Sequence, residues 1–200
     1  MPEGDVTSFL VNAQRSLEDG RFEEAKKAIE RGYALSPDHE RVRDFYQQIL
    51  LADGVKLSRK ARDMRRDEVR AMVKRERPSY QDSPEVRTAF HLAVTSLDKV
   101  LAVDPTNAKA LMLKAGVLDR MDRKGMREDV MRLFEKALEI HPGNDELLYA
   151  RERIVRSCAQ CGDSGVCPDC QGAGEVSALL FRSRCPSCNG AGICKRCGLF

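Results

Sequence analysis

All eight cysteines of this 200-residue chain fall in its last 43 residues, as four C-x-x-C pairs: Cys158/Cys161, Cys167/Cys170, Cys185/Cys188 and Cys194/Cys197. The spacers between pairs run five, fourteen and five residues, so the pattern reads the same in both directions. A segment that folds back at its middle lays the second pair beside the third and the first beside the fourth. Each meeting gathers four thiolates around one point, the tetrahedral sulfur shell that zinc prefers. The spacing therefore predicts two zinc ions. Cys167, Cys170, Cys185 and Cys188 hold the inner one; Cys158, Cys161, Cys194 and Cys197 hold the outer.

Metal is also what such a segment needs in order to fold. Its apolar side chains (Val166, Val176, Leu179, Leu180, Phe181, Ile193, Leu199 and Phe200) are too few for a self-sufficient core. A structural zinc site contributes roughly 10–16 kcal/mol of apparent binding energy in small peptides. Two other chemistries share the motif. A C-x-x-C pair of low pKa exchanges disulfides, and clustered thiolates also hold iron or an iron–sulfur cluster.

The compartment bears on that choice. Met1–Leu10 has no basic stretch leading into an apolar run, and nothing in the chain approaches the ~18 apolar residues of a membrane span. The expectation is a cytoplasmic protein with reduced thiols and no membrane partner. A net charge of +3 does not by itself imply a polyanionic partner. Charge is nevertheless concentrated: Lys56–Arg77 carries ten Lys/Arg against four Asp/Glu, a local +6. That segment reads either as a salt-bridged, solvated helix or as an electrostatic footprint for nucleic acid or an acidic peptide. There is no Trp, and Tyr80 is the nearest aromatic residue within reach, so stacking on single-stranded bases is disfavoured.

Residues 1–157 carry a different signal. Arg31–Pro37, Lys99–Pro105 and Lys136–Pro142 each read as the last turn of an amphipathic helix stopped by proline. The first two prolines lie 68 residues apart, twice 34, and the last two 37 apart. In the first unit Phe9, Ala13 and Leu17 share one helical face, Gly20 ends that helix, and Phe22, Ala25, Ile29 and Gly32 stripe the next. Small residues at 13, 25 and 32 let the helices approach while the large ones fill the remaining space. Leu111, Ala115, Leu118, Phe134 and Ala137 repeat the pattern in Ala108–Pro142, with three extra residues near Arg123–Gly125. The small–large pattern, the terminal proline and the 34-residue period resemble the tetratricopeptide (TPR) family. Asn144–Ser157 then resembles the capping helix of such arrays.

The centre fits that period poorly. Asp38–Ala52 reads as a first helix, with Gly54 placed 34 residues after Gly20 to turn the chain and Lys56–Arg77 as the second helix. Its apolar stripe is thin (Leu57, Ala61, Met64, Ala71, Met72), and Arg59, Asp63 and Arg66 stand where small or apolar residues belong. Ser83-Pro84-Glu85 reads as N-cap and first turn of a long helix reaching Asp104.

Within the cysteine module, Cys170 is followed by Gln-Gly172-Ala-Gly174 and Cys188 by Asn-Gly190-Ala-Gly192, both full matches to C-x-x-C-x-G-x-G. Glycine supplies the positive φ that lets the loop aim N–H groups at sulfur. Four such motifs in succession resemble the cysteine-rich zinc domain of the DnaJ chaperone family, including its stand-alone forms. The resemblance implies that motifs one and four share one zinc and motifs two and three the other. The first motif departs from the pattern with Asp163 in place of glycine, and the fourth reads Cys197-Gly198-Leu199-Phe200. Both departures predict a looser outer site. No His-Pro-Asp tripeptide of a J domain occurs.

Between the inner pairs, Glu175–Arg182 is the one strand-like stretch and is expected at a hairpin tip. The fold-class expectation is a mainly α protein: a TPR-like array over 1–157 and a small zinc-stabilised β-hairpin module over 158–200. The histidines (His39, His91, His141) have no partners at ligand spacing, and no catalytic constellation or phosphate loop is evident. Asn12, Gln14, Lys109 and Lys114 are the available candidates for a groove that grips a partner's terminal carboxylate. The functional expectation is a non-enzymatic, co-chaperone-like adaptor for protein or peptide partners, including unfolded clients or a chaperone. A thiol–disulfide oxidoreductase or redox sensor, and a nucleic-acid-binding protein using helix 56–77, are the alternatives.

Overall fold

A computed structural model describes residues 3–156, 158–178 and 181–196. Over those residues the protein is mainly helical, with α1 (Glu3–Glu18), α2 (Phe22–Leu35), α3 (Glu40–Ala71), α4 (Pro84–Val103), α5 (Ala108–Met121), α6 (Arg127–Ile140) and α7 (Asp145–Val155). A 3₁₀ turn, Lys74–Ser79, separates α3 from α4. The strands β1 (Glu175–Ala178) and β2 (Phe181–Arg184) follow. Among the described residues no helix is long and apolar enough to cross a membrane.

The first helical hairpin forms as its sequence dictates. Gly20, at φ +72°, ends α1 in a Schellman arrangement: its N–H donates to Leu17 O, and Arg21 N–H donates to Ser16 O. Ala13, Ala25 and Ile29 are fully buried between α1 and α2. A β-carbon on Gly32 would sit 3.1 Å from that of Phe9, so the glycine is what lets α2 approach α1.

The centre differs from its sequence expectation. There is no turn at Gly54, and Asp38–Ala52 and Lys56–Arg77 are not separate helices. One 32-residue helix, α3, runs through Gly54 and stops at Ala71, six residues before Arg77. Unlike Gly20, Gly54 does not adopt positive φ. Its missing side chain makes room for α4, because a β-carbon there would lie 2.9 Å from Leu97 Cγ. The neighbouring Asp53 is buried and accepts from Lys26 Nζ at 2.5 Å and Ser96 Oγ at 2.6 Å, tying α2, α3 and α4 together. The buried stripe along the second half of α3 is Ser58, Ala61, Arg65 and Val69. Arg65 is forked onto Asp82, donates to Arg120 O at 2.8 Å and stacks 4.7 Å from the Phe90 ring centre. An aromatic face and a paired carboxylate thus satisfy a guanidinium at a core position.

Side-chain caps start α4, α5 and α7: Ser83 Oγ accepts from Val86 N–H, Asn107 from Ala110 and Asn144 from Leu147. In the α5/α6 hairpin Leu111, Ala115, Leu118, Phe134 and Ala137 are all buried, and the turn between the helices takes up Arg123–Gly125. α7 closes that end through Leu147. Beyond it, β1 and β2 pair antiparallel from Glu175↔Arg184 to Ala178↔Phe181. The expected strand tip is therefore a hairpin whose second strand runs two residues past Arg182. Leu179 and Leu180 lie outside the described residues.

Candidate metal centre

The segment after α7 folds back on itself. An antiparallel bridge joins Val166 to Ile193, so the inner and outer cysteine pairs meet on either side of it. Inside, the two halves contact each other reciprocally. Cys167 N–H donates to Gly192 O at 3.0 Å and Cys185 N–H to Gly174 O at 2.9 Å. Gly174 N–H points at Cys170 Sγ and Gly192 N–H at Cys188 Sγ, each at 3.2 Å. Those N–H groups favour the charged thiolate.

Each loop achieves this with the same backbone. The residue after the second cysteine lies at φ +56° in Gly162, +48° in Gln171 and +51° in Asn189. The next position lies at +65° in Asp163, +84° in Gly172 and +78° in Gly190. The last glycines, 165, 174 and 192, all lie at φ +73° or +74°. Asp163 thus follows the glycine pattern in conformation; Asp and Asn are the side-chain-bearing residues most at ease there. At Gly174 and Gly192 the requirement is also steric. A β-carbon on Gly174 would fall on Gly190 O, and one on Gly192 would fall on Gly172 O.

The sulfurs of Cys167, Cys170, Cys185 and Cys188 lie within 4.8 Å of one another and are buried. The Cys167–Cys185 and Cys170–Cys188 separations are 3.9 and 3.7 Å. Four sulfurs at the ~2.3 Å Zn–S bond length form a tetrahedron with edges of ~3.8 Å, far from the ~2.05 Å of a disulfide. The cluster is therefore positioned to hold a metal ion, and an all-sulfur tetrahedron is consistent with zinc. It is also the module's own core: among the described residues Ala173, Val176 and Ala191 pack partly buried against it. Burial pushes the Cys170 thiol up to about 12, whereas the Cys188 N–H brings Cys185 down to about 7.

The outer cluster brings Cys158, Cys161 and Cys194 within the same 4.8 Å, with Cys158 and Cys194 Sγ 3.7 Å apart. Cys197, the fourth predicted ligand, lies outside the described residues. Cys194 N–H donates to Gly165 O at 2.8 Å, as its inner counterparts do to their glycines. Cys158 N–H instead donates to the Asp163 carboxylate at 2.8 Å. The same oxygen accepts from Arg123 Nη1 at 2.5 Å, and Arg123 also grips Asp119 through Nε and Nη2 at 2.9 and 2.8 Å. These carboxylates raise the Arg123 pKa above its ordinary value. Asp163, read from sequence as a defect in the first motif, is the residue that fastens Cys158 to the α5/α6 turn.

A second guanidinium fastens the inner site. Arg77 Nη1 donates to Gly172 O at 2.9 Å, while Nη2 donates at 3.1 Å to Arg70 O in the last turn of α3. Neither Arg77 nor Arg123 stood out in the sequence. Each is one cation among many in a charged chain, and its partner lies 95 or 40 residues away.

The other candidates are scattered. His39 accepts from Val42 N–H at the start of α3, His141 follows the last residue of α6, and Lys114 pairs with Asp98 at 2.5 Å. Lys109 lines an apolar groove with Leu51, Val55 and Leu113 between α3 and α5. No family model, no curated protein and no solved structure significantly matches this chain.

Proposed function

We propose that the protein is a non-enzymatic adaptor in which two zinc ions hold a DnaJ-type cysteine-rich module rigidly beside a TPR-like helical array. In this reading Cys167, Cys170, Cys185 and Cys188 hold the inner ion. Cys158, Cys161 and Cys194 hold the outer one, with Cys197 as fourth ligand. Zinc supplies cross-linking charge and takes no part in bond making, since a shell of four thiolates leaves no open position for substrate. The groove between α3 and α5, with Leu51, Ala52, Val55, Met64 and Leu113 in its lining and a volume of about 770 Å³, offers an extended or helical segment of a partner an apolar bed.

The observation that carries this reading is the reciprocal clasp of two glycine-bearing C-x-x-C loops around four buried sulfurs at tetrahedral spacing. Native mass spectrometry of the full chain is expected to find two zinc ions. Suppression of aggregation of a chemically unfolded client should fall when Val55 and Leu113 are changed to Asp. Insulin reduction by the metal-loaded protein would move the assignment to thiol–disulfide exchange, and a metal content of one or none would remove its basis.

A further inference from the structure

The cations between Lys56 and Arg77 are not equivalent in the fold. Lys56 reaches Glu23 at 2.8 Å, Arg66 and Arg70 pair with Asp63 and Asp67 at 3.4 Å, Arg65 is forked onto Asp82, and Arg77 is buried against the cysteine module. Arg59, Lys60 and Arg62 have no hydrogen bond or ion pair to any of the described residues. Arg59 and Arg62 converge with Arg120 of α5 on a cavity of about 140 Å³ whose remaining walls include Ser58, Leu97 and Val117.

No carboxylate lines this cavity. The nearest ones are engaged elsewhere, Asp63 with Arg66 and Asp119 with Arg123. Arg62 Nε is buried without a partner. Arg120 spends one Nη on Gly116 O at 2.9 Å. Burial, and then the approach of Arg62, pulls the Arg120 pKa down to about 10; burial and Arg66 lower that of Arg62. Arg62 and Arg120 are half-buried beside an exposed Arg59, and the carboxylates that act on them, Asp63 and Asp119, are each already paired with another arginine, so an arriving anion relieves the cost of burying the two guanidiniums.

The cavity shares Val55, Arg59 and Leu113 with the larger apolar groove, whose lining adds Lys56, Lys60 and Lys109 together with Asp63 and Asp67, the two carboxylates already paired with Arg66 and Arg70. A fitting ligand therefore has an anionic group at one end and an apolar body. Three guanidiniums facing one side-chain carboxylate keep about +2, whereas a phosphate monoester of about −1.5 to −2 leaves close to +1 and offers the oxygens that forked arginines grip in pairs.

We propose that Arg59, Arg62 and Arg120 form an oxyanion pocket for a phosphate monoester carried on a polypeptide segment whose apolar side chains lie in the adjoining groove. The polypeptide part rests on the adaptor reading above; the pocket does not. The first test is thermal unfolding of the full, metal-loaded chain in chloride, acetate and inorganic phosphate at matched ionic strength. Phosphate should raise the midpoint of the helical transition and acetate should not. Arg62→Gln and Arg120→Gln should each raise the midpoint in chloride and bind phosphate about ten-fold or more weakly.

The second test uses fluorescence anisotropy of a leucine-flanked phosphoserine peptide, its unphosphorylated form and a single-stranded RNA. The phosphopeptide should bind about ten-fold or more tightly than its parent, and Arg62→Gln should erase the difference. Absence of a phosphate-specific shift in the wild type, or its survival in both variants, overturns the pocket. A peptide bound equally with and without phosphate also overturns the pocket while leaving the groove reading intact. Phosphate or RNA binding without phosphopeptide binding overturns the polypeptide source.

Discussion

Replacement of Asp163 separates three contributions that meet at one carboxylate. Asp163→Asn keeps an oxygen for Cys158 N–H and a residue type at ease at φ +65°, and it removes the charge that faces Arg123 across 2.5 Å. Both side chains are largely buried, at 13% and 12% exposure, so the lost charge-assisted bond is not heavily screened. Arg123 still has Asp119, which limits the loss to about 1–2 kcal/mol. Asp163→Gly also removes the acceptor, leaving Cys158 N–H without a partner, for about 2–4 kcal/mol in all. Asp163→Ala loses the same acceptor but keeps the β-carbon at positive φ that glycine dispenses with, so it should cost about 1 kcal/mol more than Asp163→Gly. The order of damage is Asn, Gly, Ala.

This loss should be felt at the outer metal centre, because Asp163 holds the backbone of one of its ligands. Neighbours that orient a metal ligand typically change affinity by about 10–100-fold. Under increasing chelator, native mass spectrometry of the wild type should show the two ions leaving in separate steps. In Asp163→Ala the outer step should come at about 10–100-fold lower chelator, with the inner step unmoved. Coincident movement of both steps, or an alanine variant no worse than the asparagine one, refutes the role given to this carboxylate.

Exhaustive chelation should collapse residues 158–196 while leaving the far-ultraviolet helical signal nearly intact; hydrogen exchange that stays slow across Cys167–Cys188 would contradict this. Gly192→Ala should cost about 3 kcal/mol or more, because its β-carbon meets Gly172 O and the Arg77 guanidinium at φ +74°. Gly162→Asn, with open space and the conformation Asn189 already adopts, should be close to neutral, so inner-site metal retention in the two variants is a direct comparison. Gly54→Ala should destabilise by about 1–3 kcal/mol through its clash with Leu97. Leu97→Val in the same chain should recover part of that loss, measured as coupling in urea unfolding of the single and double variants.

The helical hairpins were legible because their signals are local. Gly20, the Ser83 cap and the small–large stripe of α1/α2 each act within a few residues. The continuous α3 was not legible for the converse reason. A glycine 34 residues after Gly20 looks like the same punctuation mark, yet its role is set by Leu97, 43 residues further on. Periodicity likewise placed Leu57 and Met64 on the stripe, while the buried line passes through Ser58, Ala61 and Arg65. A core arginine is invisible to an apolar pattern until Phe90 and Asp82 arrive to satisfy it. The cysteine clusters were the most readable feature, since the palindromic spacing alone limits which sulfurs can meet.

What the spacing could not contain is how the cysteine module is held against the helices. Among the described residues two guanidiniums tether it, and both grip the layer around the sulfurs. Arg77 holds Gly172 O, the carbonyl on which a β-carbon at Gly192 would land, and the buried approach of those two loops is what closes the inner cluster. Arg123 holds the carboxylate that anchors Cys158. Gly172 O and the Asp163 carboxylate both belong to the loops that wind around the sulfurs. Each arginine also has a partner on the helical side: Arg70 O at the end of α3 for Arg77, and Asp119 in α5 for Arg123. Metal removal is therefore expected to loosen the seating of the module on the array as well as the sulfur clusters, read as faster hydrogen exchange around Arg77 and Arg123 under chelation; exchange there that stays unchanged while the cysteine loops open would refute the coupling.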